Sequence, residues 1–518
     1  MKVDLRRWPR RWPDLALVAV GVLAAAWLLP GLGRGSITNS DDGITATLLR
    51  EMAHGRSLLD ISFQGTVDHQ RPLLFYWIGA AVVRLLGATE FAVRLVPALA
   101  TIAGAVLCAA LARRLRAGAA GAIFAGMLYM ALYLPVWTSR RVGEDALLAA
   151  LLAGALLCLL ATVERPRMWL GWGALLGLAA MTKGVVASLA VLVAMLDVLA
   201  TRRAVLRTRW PWLGLVVAAL VAAPWHILQT VRYGGAFWAN YLGYIVLARV
   251  SGGAIAGVSS GAGGSPAGSP ATNDVLFYGR DLLRNDPILG TVLLIGLVVA
   301  GFLLWRGGRP RRERLVVLAA ALVPALLFSL SRTRLPHYGL PLYVPAVALA
   351  AVALAEVVRR PLWIGLAAAA ALIVAAPVRA RELVAPDYAP AMRSLALEAK
   401  RQLRPDETLL VFDVYFTAAV FYSERRTMLV TGSREYLAEL GVVRILSESR
   451  LVRYVSREDF VSLIGPRTCC LTLGRFVPTV IGVMQEAAPG AQVAVWKNQD
   501  LALVCRRDDG SPPGPPAP

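Results

Sequence analysis

Apolar runs of membrane-spanning length recur between Leu15 and Ala376, broken by short basic loops. A bilayer core about 30 Å thick takes roughly 20 apolar residues of helix to cross. Lipid offers backbone groups no hydrogen-bond partner, so segments of this kind must be helices packed on one another. The chain therefore reads as an α-helical polytopic membrane protein. Charged residues make up only 17% of it, against about a quarter in soluble domains. A net charge of +21 would point to nucleic acid in a soluble chain. Here the Lys and Arg cluster in loops such as "RRWPRR" (6–11), "RRLR" (113–116), "RRAVLRTR" (202–209) and "RGGRPRRER" (306–314). The bias of basic loops toward the cytoplasm accounts for them, and nucleic acid is not an expected partner.

Placing every basic loop in the cytoplasm gives about eleven spans, near 14–32, 91–112, 118–136, 145–163, 168–183, 184–200, 211–228, 287–305, 314–331, 337–357 and 361–377. The first is read as a retained helix, because no small-residue cleavage site follows it promptly. The apolar segment 72–87 breaks the alternation if it spans. It is read as a re-entrant or interfacial helix within a first outer loop, 33–90. A second outer loop, 229–286, contains "SGGAIAGVSSGAGGSPAGSPATND" (251–274). Its Gly, Ser, Ala and Pro cannot bury a core, so mobility is expected there.

Past residue 378 the pattern changes. "ETLLVFD" (407–413) and "AQVAVW" (491–496) read as strands and "REYLAELG" (434–441) as a helix. The expected organisation is a transmembrane domain over 1–379, a small α/β domain outside the membrane over 380–506, and a disordered tail over 507–518. Cys108 and Cys158 sit in apolar runs as packing residues. Cys505 can bridge Cys469 or Cys470 if that domain lies in an oxidising compartment.

With this topology Asp41, Asp42, Asp68, His69, Arg71, Arg140, Arg141, Glu144, Asp145, Lys183, Arg249, Arg332, Arg334 and His337 all fall at the outer face. Ionisable groups near the membrane are expensive and mark function. Arg and Lys beside carboxylates suit an anionic substrate, and a lipid phosphate fits. Each residue also has a plainer reading. "NSDDGITATLLREM" (39–52) reads as an amphipathic surface helix capped by Asn39 or Ser40, whose dipole favours Asp41 and Asp42 in its first turn. Asp145 can cap the following span, Lys183 can snorkel, and Arg249 can be a solvated loop residue. His337 can be an interfacial residue with its hydrogen bonds met. Tyr76, Trp77 and Trp225 read as interfacial anchors.

Taken jointly the segments are more specific. "DDGITATLLREMAHG" and "DHQRPLLFYWIGAAVVRLLGATEFAVRLVPAL" resemble the opening of the ArnT-like and protein-mannosyltransferase-like glycosyltransferases. "SRRVGEDALLAALL", "MTKG", "PWHI" and "FSLSRTRLPHYGLPLYVPAVALA" resemble later motifs of that family over about residues 10–377. The resemblance implies the GT-C fold, with about 11–13 transmembrane helices, and transfer of a sugar from a polyprenyl-phosphate donor. The acceptor would be a lipid, lipid A-like, or a protein at the outer membrane face. It places Asp41 as the carboxylate toward the acceptor, with Asp42 in support. Asp145 would serve the sugar or acceptor, and Arg71, Lys183, Arg249, Arg332, Arg334 and His337 the phosphate. The implied location is the bacterial inner membrane, N-terminus cytoplasmic and C-terminal domain periplasmic. Two motifs depart from the family: the acidic pair is Asp-Asp where Asp-Glu is common, and "HQRP" stands for "EKPP". These leave the donor sugar and acceptor open. No cofactor is demanded, although the acidic pair has the chemistry to hold one divalent cation. A lipid-linked sugar flippase would show internal repeats and midplane polar groups, and neither stands out. An inactive GT-C relative is the remaining alternative.

Overall fold

The computed structural model describes residues 14–55, 57–248, 276–307, 311–331, 334–384, 387–434 and 452–507. Arg249, Arg332, the 251–274 run, the helix expected over 434–441 and the tail from 508 lie outside the described residues.

The N-terminal helices are α1 (Leu15–Leu28), α2 (Asp41–His54), α3 (Leu74–Leu86), α4 (Glu90–Arg114), α5 (Gly118–Ala131), α6 (Tyr133–Ser139) and α7 (Asp145–Ala161). Then come α8 (Met168–Lys183), α9 (Ser188–Thr201), α10 (Trp210–Tyr233), α11 (Gly235–Trp238), α12 (Phe277–Asn285), α13 (Pro287–Trp305), α14 (Arg311–Leu330), α15 (Leu340–Val358) and α16 (Pro361–Val384). Among the described residues seven helical stretches are long and apolar enough to cross a membrane, with Met168–Thr201 counted as one. The pair α5 and α6, bent by 65°, makes an eighth if it is one span. Leu15–Leu28, Leu74–Leu86 and Asp145–Ala161 are apolar but shorter. The segments expected to span are thus all helical, yet fewer than eleven reach full spanning length. Helix α3, at 13 residues, extends only about 20 Å.

Sequence chemistry explains how the helices end. Thr89 caps α4 by accepting the Ala92 N–H at 3.2 Å. Glu90 begins that helix and Arg113 and Arg114 close it, each matching the dipole at its end. Between α8 and α9 the chain breaks at Gly184, which has φ 49°. A Cβ there would also stand 2.2 Å from the Tyr241 hydroxyl, so glycine is needed twice over.

The C-terminal region is a six-stranded sheet in the order β5-β4-β3-β6-β8-β7, following a two-residue hairpin β1 (Ser62–Phe63) and β2 (Thr66–Val67). Its strands are β3 (Thr408–Phe412), β4 (Arg426–Thr431), β5 (Val452–Tyr454), β6 (Arg467–Leu473), β7 (Gln492–Asn498) and β8 (Leu501–Arg507). β3 to β6 pair in parallel, and β8 runs antiparallel to β6 and β7. Helices α17 (Pro390–Gln402) and α18 (Thr417–Ser423) cover one face, α19 (Arg457–Ser462) and α20 (Val477–Ala487) the other. Cys469 and Cys505 lie opposite one another in register and are joined in a disulfide. Cys470 points to the other face and stays free, because successive side chains alternate across a strand.

One apolar core unites this sheet with the first outer loop. Ile44, Leu48 and Met52 of α2, Phe75 of α3 and Val93 of α4 join Leu395, Leu409, Val411 and Phe421 in a single cluster. Helix α2 is therefore not the surface helix its amphipathic pattern suggests. Its residues from Asp42 to Leu49 are all buried, because α18 covers the side that the pattern left polar but small. Gly43 makes this possible: a Cβ there would stand 2.6 Å from the Thr417 carbonyl carbon and 2.7 Å from the Ala418 nitrogen. Backbone cannot yield as a side chain can, so Gly43→Ala should destabilise the protein by about 1–3 kcal/mol. A fall in detergent melting temperature checks this, and an unchanged value would mean that α2 and α18 part easily.

Candidate active site

The acidic pair opens α2, and its two members differ sharply. Asp42 is buried. The Arg141 Nε donates to its carboxylate at 2.9–3.0 Å, and Arg141 also reaches the Ser40 hydroxyl at 3.1 Å. Burial pushes the Asp42 carboxyl above its usual range, against the pull of Arg141. Asp41 is exposed and makes no hydrogen bond or ion pair with another described residue. The plainer capping reading fails in detail, since Ser40 holds the cap position without a side-chain capping bond. Asn39 spends its side chain elsewhere, on the C-terminal region.

Arg71 faces this pair from the loop before α3. Its Nη1 donates to the Thr45 hydroxyl at 2.9 Å and to the Tyr76 hydroxyl at 3.0 Å, and its Nε lies 3.8 Å from Asp68. Burial works against the guanidinium charge, but Tyr76, Asp68, Glu144 and Asp41 outweigh it and raise its pKa well above the usual value. Asp68 is itself pushed up by burial. Tyr76, expected as an interfacial anchor, is fully buried as a support for Arg71. Trp225 is also buried, packed edge-on against His226, Phe237 and Tyr241. Trp77 alone of the three is exposed, at 37%.

A third group comes from the ends of α7, α8 and α15. The Lys183 Nζ lies 2.5 Å from Asp145 Oδ1 and 3.9 Å from Glu144, over the Tyr338 ring at 5.2 Å. It turns inward and does not snorkel. Asp145 begins α7 one residue inside the cap position and pairs with Lys183 instead of capping. His337 stacks on Trp137 at 6.3 Å, and Arg141 stands over the same indole at 4.7 Å. Asp41, Asp145 and Lys183 all lie within electrostatic reach of His337, and Arg71 within reach of Asp41 and Asp145. The structure thus brings together Asp41, Asp42, Arg71, Asp145, Lys183 and His337. Arg334 donates to the Ser329 carbonyl at 3.0 Å, at the end of its preceding helix. Among the described residues no group of three His, Cys, Asp or Glu is arranged to hold a metal.

Sequence reasoning placed Arg141 at the outer face but gave it no role, and passed over Trp137. The "SRR" run before Gly143 was the available signal: two arginines at the end of an apolar segment need partners. Arg94, part of the Gly-x-x-Glu-Phe-x-x-Arg pattern, has a structural task. Fully buried, it donates to the carbonyls of Leu32, Arg34 and Ser36 at 2.7–3.1 Å and so fixes the irregular segment leading to Asp41. Deeper in the helix bundle is a small apolar cavity of about 40 Å³ lined by Leu152, Leu156, Trp172, Val193, Pro324 and Pro345. Leu152 and Leu156 are about two and three turns along α7 from Asp145.

Residues 70–228 match the dolichyl-phosphate-mannose-protein mannosyltransferase family. The undecaprenyl phosphate-alpha-4-amino-4-deoxy-L-arabinose arabinosyl transferase 2 of Proteus mirabilis is 25% identical over 310 residues, 57% of this chain and 50% of that one. Its counterpart in Aeromonas salmonicida is 27% identical over 343 residues, 64% and 58% respectively. The chain spans about half the length of these curated relatives. In structure, ArnT from Cupriavidus metallidurans bound to undecaprenyl phosphate superposes with a TM-score of 0.71 at 21% identity, covering 96% of this chain and 99% of that one. The Archaeoglobus fulgidus oligosaccharyltransferase gives 0.52 at 13% identity, covering 94% and 72%. The fold expected from the motifs is the fold observed.

Proposed function

We infer that this ArnT-like membrane protein of GT-C fold is a glycosyltransferase. It moves a sugar from an undecaprenyl-phosphate-type donor to a lipid acceptor, lipid A-like, at the outer membrane face. The observation that carries this reading is the convergence of Asp41, Arg71, Asp145 and Lys183 at the ends of the membrane helices. Cations at the ends of membrane helices suit a phosphate carried on a polyprenyl tail. Glu144, 3.9 Å from Lys183, offers a carboxylate to the ammonium of an amino sugar such as the relatives' names contain.

In the displacement, an acceptor oxygen attacks the anomeric carbon as the bond from that carbon to the donor phosphate oxygen breaks. The configuration inverts, and the electron pair leaves with polyprenyl phosphate. Asp41 takes the proton when the acceptor is a hydroxyl. When it is already an anionic phosphate no proton moves, and positioning of the acceptor dominates. Arg71 and Lys183 meet the charge that grows on the leaving phosphate. Arg249, Arg332 and Arg334 are proposed as further phosphate contacts, and His337 as a wall of the sugar pocket. Transfer from a panel of undecaprenyl-phosphate sugars to a total membrane lipid extract, by purified protein, tests the reading. A labelled lipid product supports it. No product from any sugar in the panel, with the donor shown to bind, would overturn it.

The orientation proposed puts the N-terminus in the cytoplasm and the C-terminal region in the periplasm of a bacterial inner membrane. The Cys469–Cys505 disulfide supports it, since such bonds persist in oxidising compartments. Alkaline phosphatase fused after Pro518, active only when exported, should be active. A cytoplasmic reporter active at that position would reverse the orientation.

A further inference from the structure

The C-terminal sheet has a ready place for a ligand. β3 and β6 are parallel neighbours, but the chain leaves β3 toward β4 on one side and β6 toward β7 and β8 on the other. In open α/β sheets ligands sit outside the carboxyl ends of the strands at such a switch point. Here Asp413 turns the chain sharply after β3 with φ 49°, and α18 starts at Thr417.

The β3 side of that place is occupied by the chain itself. Asn39 Oδ1 accepts the Ala418 N–H at 3.0 Å and lies 3.4 Å from the Thr417 hydroxyl. Its Nδ2 donates to the Tyr415 carbonyl. The Thr417 hydroxyl donates to the Ser40 carbonyl at 2.8 Å, and the Ile37 N–H to the Tyr422 hydroxyl at 2.8 Å. Gly43 closes the contact against Thr417 and Ala418. The stretch 37–43, which carries both aspartates, is therefore gripped along its length by residues 415–422. A first helical turn with no side-chain cap is free to fray, and this grip holds it from outside.

We propose that the carboxyl edge of the C-terminal sheet is a clasp for the acidic pair, with Asn39 and Thr417 as positioning residues that set where Asp41 stands. The proposal rests on the reading of Asp41 as the carboxylate facing the acceptor. It gives the C-terminal region a part in the chemistry that no residue of its own performs: it touches Ser40 and Asn39, and Ser40 precedes Asp41.

The test uses purified full-length protein, with an undecaprenyl-phosphate sugar as donor and undecaprenyl phosphate as binding probe. Thr417→Val keeps the shape and removes the hydroxyl. It should lower kcat about tenfold, and Asn39→Ala by up to about 100-fold, the range for small misplacements of a catalytic group. Donor KM and undecaprenyl phosphate affinity should stay within about twofold, since only transition-state geometry is disturbed. Thr417→Ser, which restores the hydroxyl, should recover most of the rate. If Thr417→Val and Asn39→Ala keep the wild-type kcat while Asp41→Asn does not, the clasp is only structural and the proposal fails alone. A parallel loss of kcat and probe affinity would also overturn it, as general loosening. If Asp41→Asn transfers normally, the reading beneath the proposal falls with it.

Discussion

Asp41→Asn should cut sugar transfer by about 10²–10⁴-fold, the range for losing a positioned acid or base, and leave undecaprenyl phosphate binding intact. The two adjacent aspartates make this a sharp test. Asp42 is buried and its charge is answered by Arg141, so it is committed to the fold. Asp41 is exposed and makes no hydrogen bond or ion pair with another described residue. Replacing it with asparagine changes charge but not size, and no such contact is lost. Asp42→Asn differs in kind. It leaves the Arg141 guanidinium without its partner, and an uncompensated charge this far buried is strongly destabilising. The expected pattern is a stable, inactive Asp41→Asn protein beside an Asp42→Asn protein with a lowered melting temperature. Normal transfer by Asp41→Asn would return that residue to the role of a helix-dipole partner.

The membrane architecture was legible because it rests on local physics. Spanning length, basic loop ends and helix breaks at Gly184 are all written in short stretches. The resemblance of several segments to the GT-C family implied Asp41, Arg71, Asp145 and Lys183 as site residues. What could not be read were contacts between segments far apart in the chain. Asn39 looks like a cap for the helix it precedes, and only α18, some 380 residues on, gives it different partners. Helix α2 carries the alternation of a surface helix, and its Thr45, Ala46 and Thr47 are small enough to be buried on the second side as well. Tyr76 and Trp225 carry the amphipathic chemistry of interfacial anchors, and nothing local tells a membrane interface from a protein interior. The bond from Cys505 to Cys469 and not to Cys470 follows from strand register, which depends on the fold of the whole sheet. Arg141 was placed at the outer face, but its partner Asp42, 99 residues back, was hidden for the same reason.

Lys183→Met should reduce transfer by about 10²–10³-fold, as when one preorganised donor to developing charge is removed. It should also weaken binding of undecaprenyl phosphate. The complication is its pairing with Asp145, because an activity loss could come from an Asp145 carboxylate left alone. A mutant cycle separates the two causes. Both side chains keep about a fifth of their exposure, so breaking the pair should cost less than the 3–5 kcal/mol of a fully buried one. Adding Asp145→Asn to Lys183→Met removes the stranded charge, and the melting temperature should rise again. Affinity for undecaprenyl phosphate should not, because the cation remains missing. If the double variant regains wild-type phosphate binding, the pair is structural and Lys183 does not hold the donor. If stability returns without binding, the Lys183 ammonium is a phosphate ligand kept in place by Asp145 until the donor arrives.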